Sequence, residues 1–546
     1  MDLIEKFRQN KKTVIVFLMI LAVGIFLRTY KFQEWLRFNQ DQARDVVLVE
    51  KVLNRSAELP LLGPVAAKTP FKLGPAYYYM QYASAKVFGA EPEKVAFPDL
   101  FFSVGSIVLL YLLLRKYFDR KVSLSVIFLF AISYFTIRYS RFSWNPNPQA
   151  FFAILLILSF FELISAKNIK EKIVWSIAGG LALGIGVQLQ TLSLFILPIF
   201  SVAGLFLLIK KKLISWKVIA LVLTTAFLFN LSQVISEART GGQNVRDFFF
   251  TVSSKSEKNK SLLKTISLGV QCQLQSNVYT ISSLGTENTC DIFRGDDNIS
   301  KKDSVVKKYL ILSVYFVGTL FVLGFSIGGY WLLVGTIRRE IDVKKKTYLQ
   351  LIGIFALISF VMFIPVSHET TMRFFVVVEV LPYFLLALWL VFLREKFRKK
   401  WLYAVGAIVV VLAFSNALTI GKYIGILNGT TMEDDRNIQF MSLGEAKFIS
   451  QFLLSNSQAG GDVYLDGKNM DVDEYKKSIE YFTREKNLVV KKYNGSDDIG
   501  NQPIFLLTSV FSGMNKKLTV NEKTNFTASE TKTYGRLVIT KLDILK

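Results

Sequence analysis

The sequence predicts an α-helical polytopic membrane protein with outward interfacial helices and a small C-terminal α/β domain. Three observations carry that prediction. First, the 546 residues are 51% hydrophobic, with 47 Phe, 22 Tyr and a mean hydropathy of +0.37. A soluble domain cannot hide that much apolar surface, whereas a bilayer accepts it. Second, about eleven apolar segments are long enough to span, near 13–30, 97–114, 122–138, 149–165, 173–189, 191–209, 217–235, 309–334, 347–365, 373–393 and 401–420. Third, the basic residues recur in alternate loops, as membrane orientation requires. The net charge of +24 therefore belongs to topology, and no nucleic-acid partner is expected.

The first span is followed by Arg28 and by no small-residue cleavage site, so it is expected to be a retained anchor. Lys6, Arg8, Lys11 and Lys12 precede it, and Arg115, Lys116, Arg120 and Lys121 fill the 115–121 loop. Three lysines lie in 166–172, and further clusters follow at Lys210–Lys212, at Arg338, Arg339 and Lys344–Lys346, and at Arg394, Lys396 and Arg398–Lys400. The alternate loops near 190 and 366–372 have neither Lys nor Arg; only 138–148 breaks the pattern. A multi-pass plasma-membrane protein with a cytoplasmic N-terminus and an extracytoplasmic C-terminal domain is expected.

This organisation divides the chain into a membrane domain, 1–420, and an extracytoplasmic domain, 421–546. The membrane domain carries a first outer loop at 31–96 and a second at 236–308. Strands are predicted in the tail at 462–466, 488–493, 504–508 and 537–542, and helices near 443–455 and 474–486. No glycine-rich phosphate loop joins strand to helix there, so the tail reads as a packing or acceptor-facing module. Cys272 and Cys290 share the second outer loop. An outward disulfide suits that placement and stabilises by about 3 kcal/mol in the chain-entropy model, with a free-thiol pair as the alternative. Two cysteines and one distant histidine do not make a metal-ligand set, so a disulfide is expected there before a metal site.

Four polar clusters fall on the outward face. In the first loop, Asp41 opens a helical pattern that runs to about Arg55. Its carboxylate either caps the free amides of the helix or acts as a general base at the mouth of a cavity. Val46, Val47, Val49, Val52 and Leu53 are expected to lie against the membrane interface. Farther on, Gly74-Pro75 marks a turn into Tyr77, Tyr78 and Tyr79, an aromatic belt or a sugar platform, with Lys68 and Lys72 nearby as phosphate-binding candidates. In the third cluster, Arg141, Trp144 and Asn145 sit among two Asn-Pro steps that force a non-helical connection. They are membrane anchors or contacts to an anionic lipid head group. The fourth holds His368, Glu369 and Arg373, with Arg373 the head-group candidate and His368 either a hydrogen-bonding residue or a ligand. Glu379 lies deeper, where carboxylates face a protein interior or cavity.

Together, Asp41-Gln-Ala-Arg44-Asp45, Gly74-Pro75-Ala-Tyr77-Tyr78-Tyr79 and Arg141-Phe-Ser-Trp144-Asn145-Pro146-Asn147 resemble the motifs of GT-C glycosyltransferases. The similar groups are the protein O-mannosyltransferases and lipid A aminoarabinose transferases of glycosyltransferase family 39. The resemblance covers the membrane region and is most specific within 30–150. Gln42 stands where many relatives carry Glu, which leaves Asp41 the sole candidate base there.

The resemblance implies a GT-C fold and a polyprenyl-phosphate sugar donor, presented on the outer leaflet to an extracytoplasmic protein, lipid or glycan acceptor among the membrane lipids. Asp41 would take the proton of the attacking hydroxyl, giving inversion in one displacement. The phosphate leaves as an anion and needs positive charge nearby, with Lys72, Arg44, Arg141, Lys68 and Arg373 as candidates. Asp45, Tyr77, Tyr78, Trp144, Asn145, His368 and Glu369 are the sugar or acceptor candidates. No cofactor is required by this logic, although some relatives bind a divalent metal, which stays open as an alternative. The alternative from another class is a polytopic transporter or lipid flippase, for which repeated halves and polar breaks at the midplane are expected.

Overall fold

Helices fill the region that hydropathy marks as membrane. The computed structural model describes residues 11–66, 69–254, 261–285, 290, 305–432, 440–467, 472–493, 502–511 and 526–544. Its principal helices begin with α1 (Lys11–Thr29), α2 (Gln40–Leu53), α3 (Ala76–Phe88), α4 (Phe97–Leu114), α5 (Arg120–Ile132) and α6 (Gln149–Ser165). There follow α7 (Ile169–Leu189), α8 (Ser193–Lys210), α9 (Trp216–Phe229), α10 (Leu231–Thr240), α11 (Leu262–Ser282), α12 (Val305–Arg339) and α13 (Val343–Phe363). The hairpin α14 (Val380–Phe397) and α15 (Trp401–Leu427) completes the bundle.

Among the described residues, seven helices are long and apolar enough to cross a bilayer, or eight if α9 and α10, bent by 58°, form one broken span. The expected eleven differ in identifiable places. Helix α6 has 17 residues, and α5 ends after 13 at extended Ser133, before the short helix Tyr134–Arg138. The stretch Val380–Leu427 counts once by hydropathy, yet it breaks at Arg398, whose φ is +42°. Its halves lie side by side: Tyr383 of α14 donates to Thr280 O, and Asn416 of α15 donates to the adjacent Ile281 O.

The loops sort to two ends of the bundle. At one end, Lys116 pairs with Glu162, Tyr117 with Glu340, Lys211 with Thr347, and Arg394 with Asp119. These are the basic loops expected to share one face. At the other end, the segments around residues 37, 142, 189, 374 and 442 meet through Arg37–Phe142, Arg37–Ser442, Asn145–Leu189 and Gln190–Phe374 contacts.

The second outer loop departs from expectation. Its helix α11 is buried over the whole stretch from Cys272 to Ser282, despite Gln273, Gln275, Ser276, Asn277 and Thr280. A helix ending inside a bundle leaves carbonyls that water cannot reach. Here Ser133 and Tyr383 donate to Thr280 O, Asn416 to Ile281 O, and Ser415 to Ser282 O. Cys272 and Cys290 are joined in a disulfide with Cα atoms 4.5 Å apart, both buried.

The tail holds β1 (Asp462–Gly467), β2 (Val489–Lys492), β3 (Ile504–Ser509), β4 (Phe526–Tyr534) and β5 (Leu537–Ile544), with α16 (Leu443–Asn456) and α17 (Val472–Thr483). The sheet order is β2-β1-β3-β5-β4; β1 is parallel to β2 and β3, while β5 is antiparallel to β3 and β4. Sequence reasoning missed β4, because its residues are polar and mostly exposed.

The tail also covers α2. Val46 and Val49 are buried in one cluster with Leu443, Ile449, Tyr475 and Ile479, rather than lying on a membrane interface as expected. An amphipathic stripe records that a face is buried and leaves open what covers it. Just before α2 the backbones join: Phe38 N donates to Met441 O and Leu443 N to Leu36 O, at 2.9 and 2.7 Å. Tyr481 and Arg484 hold Glu50 from above.

Candidate active site

Asp41 lies in the first turn of α2, but it does not cap the helix. The preceding residue Asn39 is the N-cap, and Gln42 reaches back to accept from Asn39 N at 3.0 Å. Gln42 also donates to Ser143 O at 2.8 Å. The side chain that replaces the second carboxylate of the resembling motif is thus a capping and docking residue. Relieved of capping, the Asp41 side chain is 57% exposed and is held by Arg44 Nη1 at 2.8 Å.

Arg44 bridges two carboxylates. Its Nε and Nη2 both donate to Asp45 Oδ1, at 2.9 and 2.7 Å, while Nη1 serves Asp41. Asp45 is buried. Burial pushes its carboxyl up to about 6, against the opposing pull of the Arg44 charge. Arg44 itself is held above the usual guanidinium range, because Asp45, Tyr78 and Asp41 outweigh its partial burial. The guanidinium therefore keeps its charge, and its planar fork fixes the orientation of the Asp41 oxygen it holds.

Below Asp45 a polar chain runs inward. Gln81 reaches Asp45 and also donates to Ser143 Oγ at 2.8 Å. Tyr77 Oη donates to Asp99 Oδ2 at 2.6 Å and lies 2.7 Å from Ser143 Oγ. Because Tyr77 gives its single proton to Asp99, the Ser143 hydroxyl is the donor in its contact with Tyr77. Tyr77 is fully buried, so burial and the Asp99 charge raise its phenol; it stays neutral. Tyr78 is likewise raised by burial and the Asp45 charge. Sequence reasoning missed Gln81, Ser143 and Asp99, although a carboxylate near the start of the apolar 97–114 span was the available signal.

The 141–147 loop connects this cluster to the later chain. Trp144 stacks on Phe142 and Tyr139, and the Arg373 guanidinium lies 5.9 Å from its ring centre. Asn145 donates to Leu189 O at 2.7 Å and Asn147 to Phe142 O, so both hold the loop's shape. Arg141 is buried and turned the other way, donating to Arg28 O at 2.9 Å and to Leu27 O and Lys31 O at 3.4 Å. It serves the open carbonyls at the end of α1. Asp41, Arg44, Asp45, Tyr78, Trp144 and Arg373 are thus linked through neighbouring contacts, and Arg141 faces away.

Lys72 is exposed, on a backbone gripped at both ends by Asn244: Lys72 N donates to Oδ1 and Nδ2 donates to Lys72 O, at 2.8 and 3.0 Å. Gln188 packs over Gly74, where a side chain has no room, and accepts from Ala76 N at 3.1 Å to start α3. Lys68 lies outside the described residues. His368 Nε2 sits 3.0 Å from Thr265 Oγ1, and Glu369 is exposed beside it. Buried Glu379 lies within electrostatic reach of Arg28, whose own donors go to Ser103, Gly24, Ala131 and Thr136. Among the described residues no group of three or more acidic, His or Cys side chains is placed to hold a metal.

Comparison with known proteins adds to this geometry. Residues 69–235 match the family model described as dolichyl-phosphate-mannose-protein mannosyltransferase. YkcB of Bacillus subtilis (strain 168), which carries a provisional mannosyltransferase name, is 25% identical over 228 residues, 41% of this chain and 30% of the relative. The match thus spans under a third of that protein's length. ArnT from Cupriavidus metallidurans, solved bound to undecaprenyl phosphate, superposes with a TM-score of 0.51 at 11% identity, covering 97% of this chain and 98% of ArnT. The Archaeoglobus fulgidus oligosaccharyltransferase, solved with Zn and sulfate, gives 0.50 at 15% identity over 87% of this chain and 62% of its own. The resemblance to GT-C glycosyltransferases read from three short motifs therefore extends to a family model and to the fold.

Proposed function

We propose that this GT-C-like membrane protein transfers a sugar from a polyprenyl-phosphate carrier to an extracytoplasmic acceptor hydroxyl, with inversion and with Asp41 as general base. One observation carries the proposal most: the Asp41 carboxylate is exposed, freed from helix capping by Asn39 and Gln42, and oriented by Arg44. A base must present an oxygen to the attacking hydroxyl in a fixed direction, and a buried or capping carboxylate would not. The undecaprenyl phosphate in the ArnT structure supports a lipid-phosphate carrier. The fold likeness favours a transferase over a transporter or flippase.

In this mechanism the hydroxyl attacks the anomeric carbon, Asp41 takes its proton, and the bond to the carrier phosphate breaks with its electrons going to the phosphate. Exposed Arg373 and Lys72, with Arg44, are the cations proposed to receive that charge. Arg141 leaves the set, because its Nη1 and Nη2 are engaged by backbone carbonyls at the end of α1. Trp144, beneath Arg373, offers a flat apolar face to the sugar or carrier.

Asp41→Asn tests the base. The amide keeps the size of the carboxylate but cannot take a proton, so transfer of a labelled sugar from lipid carrier to acceptor should fall about 10²–10⁴-fold. Donor binding and thermal stability should stay near the parent's, since capping does not depend on Asp41. Transfer at the parent's rate would remove Asp41 from the chemistry.

A further inference from the structure

At the end of the bundle away from Asp41, a cavity of about 490 Å³ opens among Arg115, Asp119, Arg120, Lys121, Arg394 and Trp401. We propose that it binds the phosphate head group of an anionic phospholipid in the leaflet opposite Asp41. This is independent of the transferase proposal.

Charge is the first argument. Four cationic side chains from three separate segments line the cavity beside one carboxylate, Asp119. That carboxylate is already engaged: Asp119 Oδ1 accepts from Lys121 N and Val122 N, and Oδ2 pairs with Arg394. The cavity is therefore strongly positive.

Depth is the second argument. Arg115 follows the end of α4, Arg120 and Lys121 open α5, Arg394 lies in the last turn of α14, and Trp401 opens α15. The cavity thus sits where apolar helices give way to loops, the level of lipid head groups. Trp401, with the Lys121 ammonium 5.4 Å from its ring centre, is a residue type suited to that boundary. A head group held at this depth keeps its acyl chains beside the apolar helices, which favours a lipid over a soluble anion. Basic recesses between spans are recurrent sites for anionic lipid head groups.

The test uses the full-length protein in mild detergent, with phosphatidylglycerol, phosphatidylcholine or inorganic phosphate added. Native mass spectrometry reads bound lipid, and thermal unfolding reads protection. Phosphatidylglycerol should bind and protect, and phosphatidylcholine and phosphate at equal concentration should not. Arg120→Gln with Lys121→Gln removes two exposed charges and should weaken phosphatidylglycerol about 30-fold; each single change should weaken it about fivefold. Lys170→Gln with Lys172→Gln, in the neighbouring basic loop, should leave it unchanged. Equal affinity in the parent and the Arg120/Lys121 variants would overturn the proposal. So would equal protection by inorganic phosphate, which would mark a free-anion site, or an equal loss in the Lys170/Lys172 variant, which would mark diffuse surface charge.

Discussion

Asp45 is the residue whose charge state the fold controls most directly at the site. Burial lifts its carboxyl from 3.8 to about 6 despite the Arg44 charge. Two consequences of opposite sign follow. A raised folded-state value means that Asp45 contributes stability that is full below 3.8 and lost as pH rises through about 6. The Arg44 clamp, however, needs the ionised form, so transfer should fall as pH drops through about 6. Asp45→Asn, which cannot titrate, should lack that acid limb; initial rates across pH 5–8 would show it, and an unchanged limb would detach Asp45 from Arg44 positioning. This coupling was partly legible: the sequence placed Asp41, Arg44 and Asp45 within a turn of one another. It did not show that Asn39 caps, although Asn39 and Gln42 have capping-box spacing. Arg141 misled for a physical reason. An outward arginine that defies topology needs an anionic partner, and the carbonyls that close α1 are 110 to 114 residues away in sequence.

At the level of elements, α2 depends on the tail. Phe38 packs its ring on Tyr481 and Phe482 at 5.7 Å, while its backbone joins Met441. Phe38→Ala should cost about 3–5 kcal/mol of stability, as for other buried aromatic truncations. It should also reduce transfer, because the start of α2 loses its seat three residues from Asp41. Thermal unfolding and limited proteolysis of the tail would show the loosening; a tail that stays resistant would mean that α2 is held elsewhere. Apolar periodicity made α2, α16 and α17 readable in advance. It could not make α11 readable as a buried element, since Gln273, Gln275 and Asn277 look solvated until Tyr330, Tyr383 and Asn416 are seen around that helix. Strand β4 was hidden for the opposite reason, having no apolar face to announce it.

At the scale of the whole molecule, the alternation of basic and non-basic loops was the most legible feature, because it depends on charge alone. The structure gathers the basic loops at one end. With the basic end proposed as cytoplasmic, protease added to intact cells should remove an epitope fused at the C-terminus and spare one at the N-terminus until the cells are permeabilised. The reverse pattern would invert the orientation and put the site on the wrong side for an outer-leaflet donor.

The contact between Met441 N and Asn39 Oδ1, 3.1 Å long, joins residues 402 positions apart. Ribosomes add about 5–20 residues each second, so α2 waits on the order of 20–80 s for the segment that seats it. During that interval the Asn39–Gln42 cap is the local support the helix carries with it. A nascent chain would therefore hold the Asp41 carboxylate on an unseated helix until residues 441–481 are made, and their arrival would complete the site proposed around it.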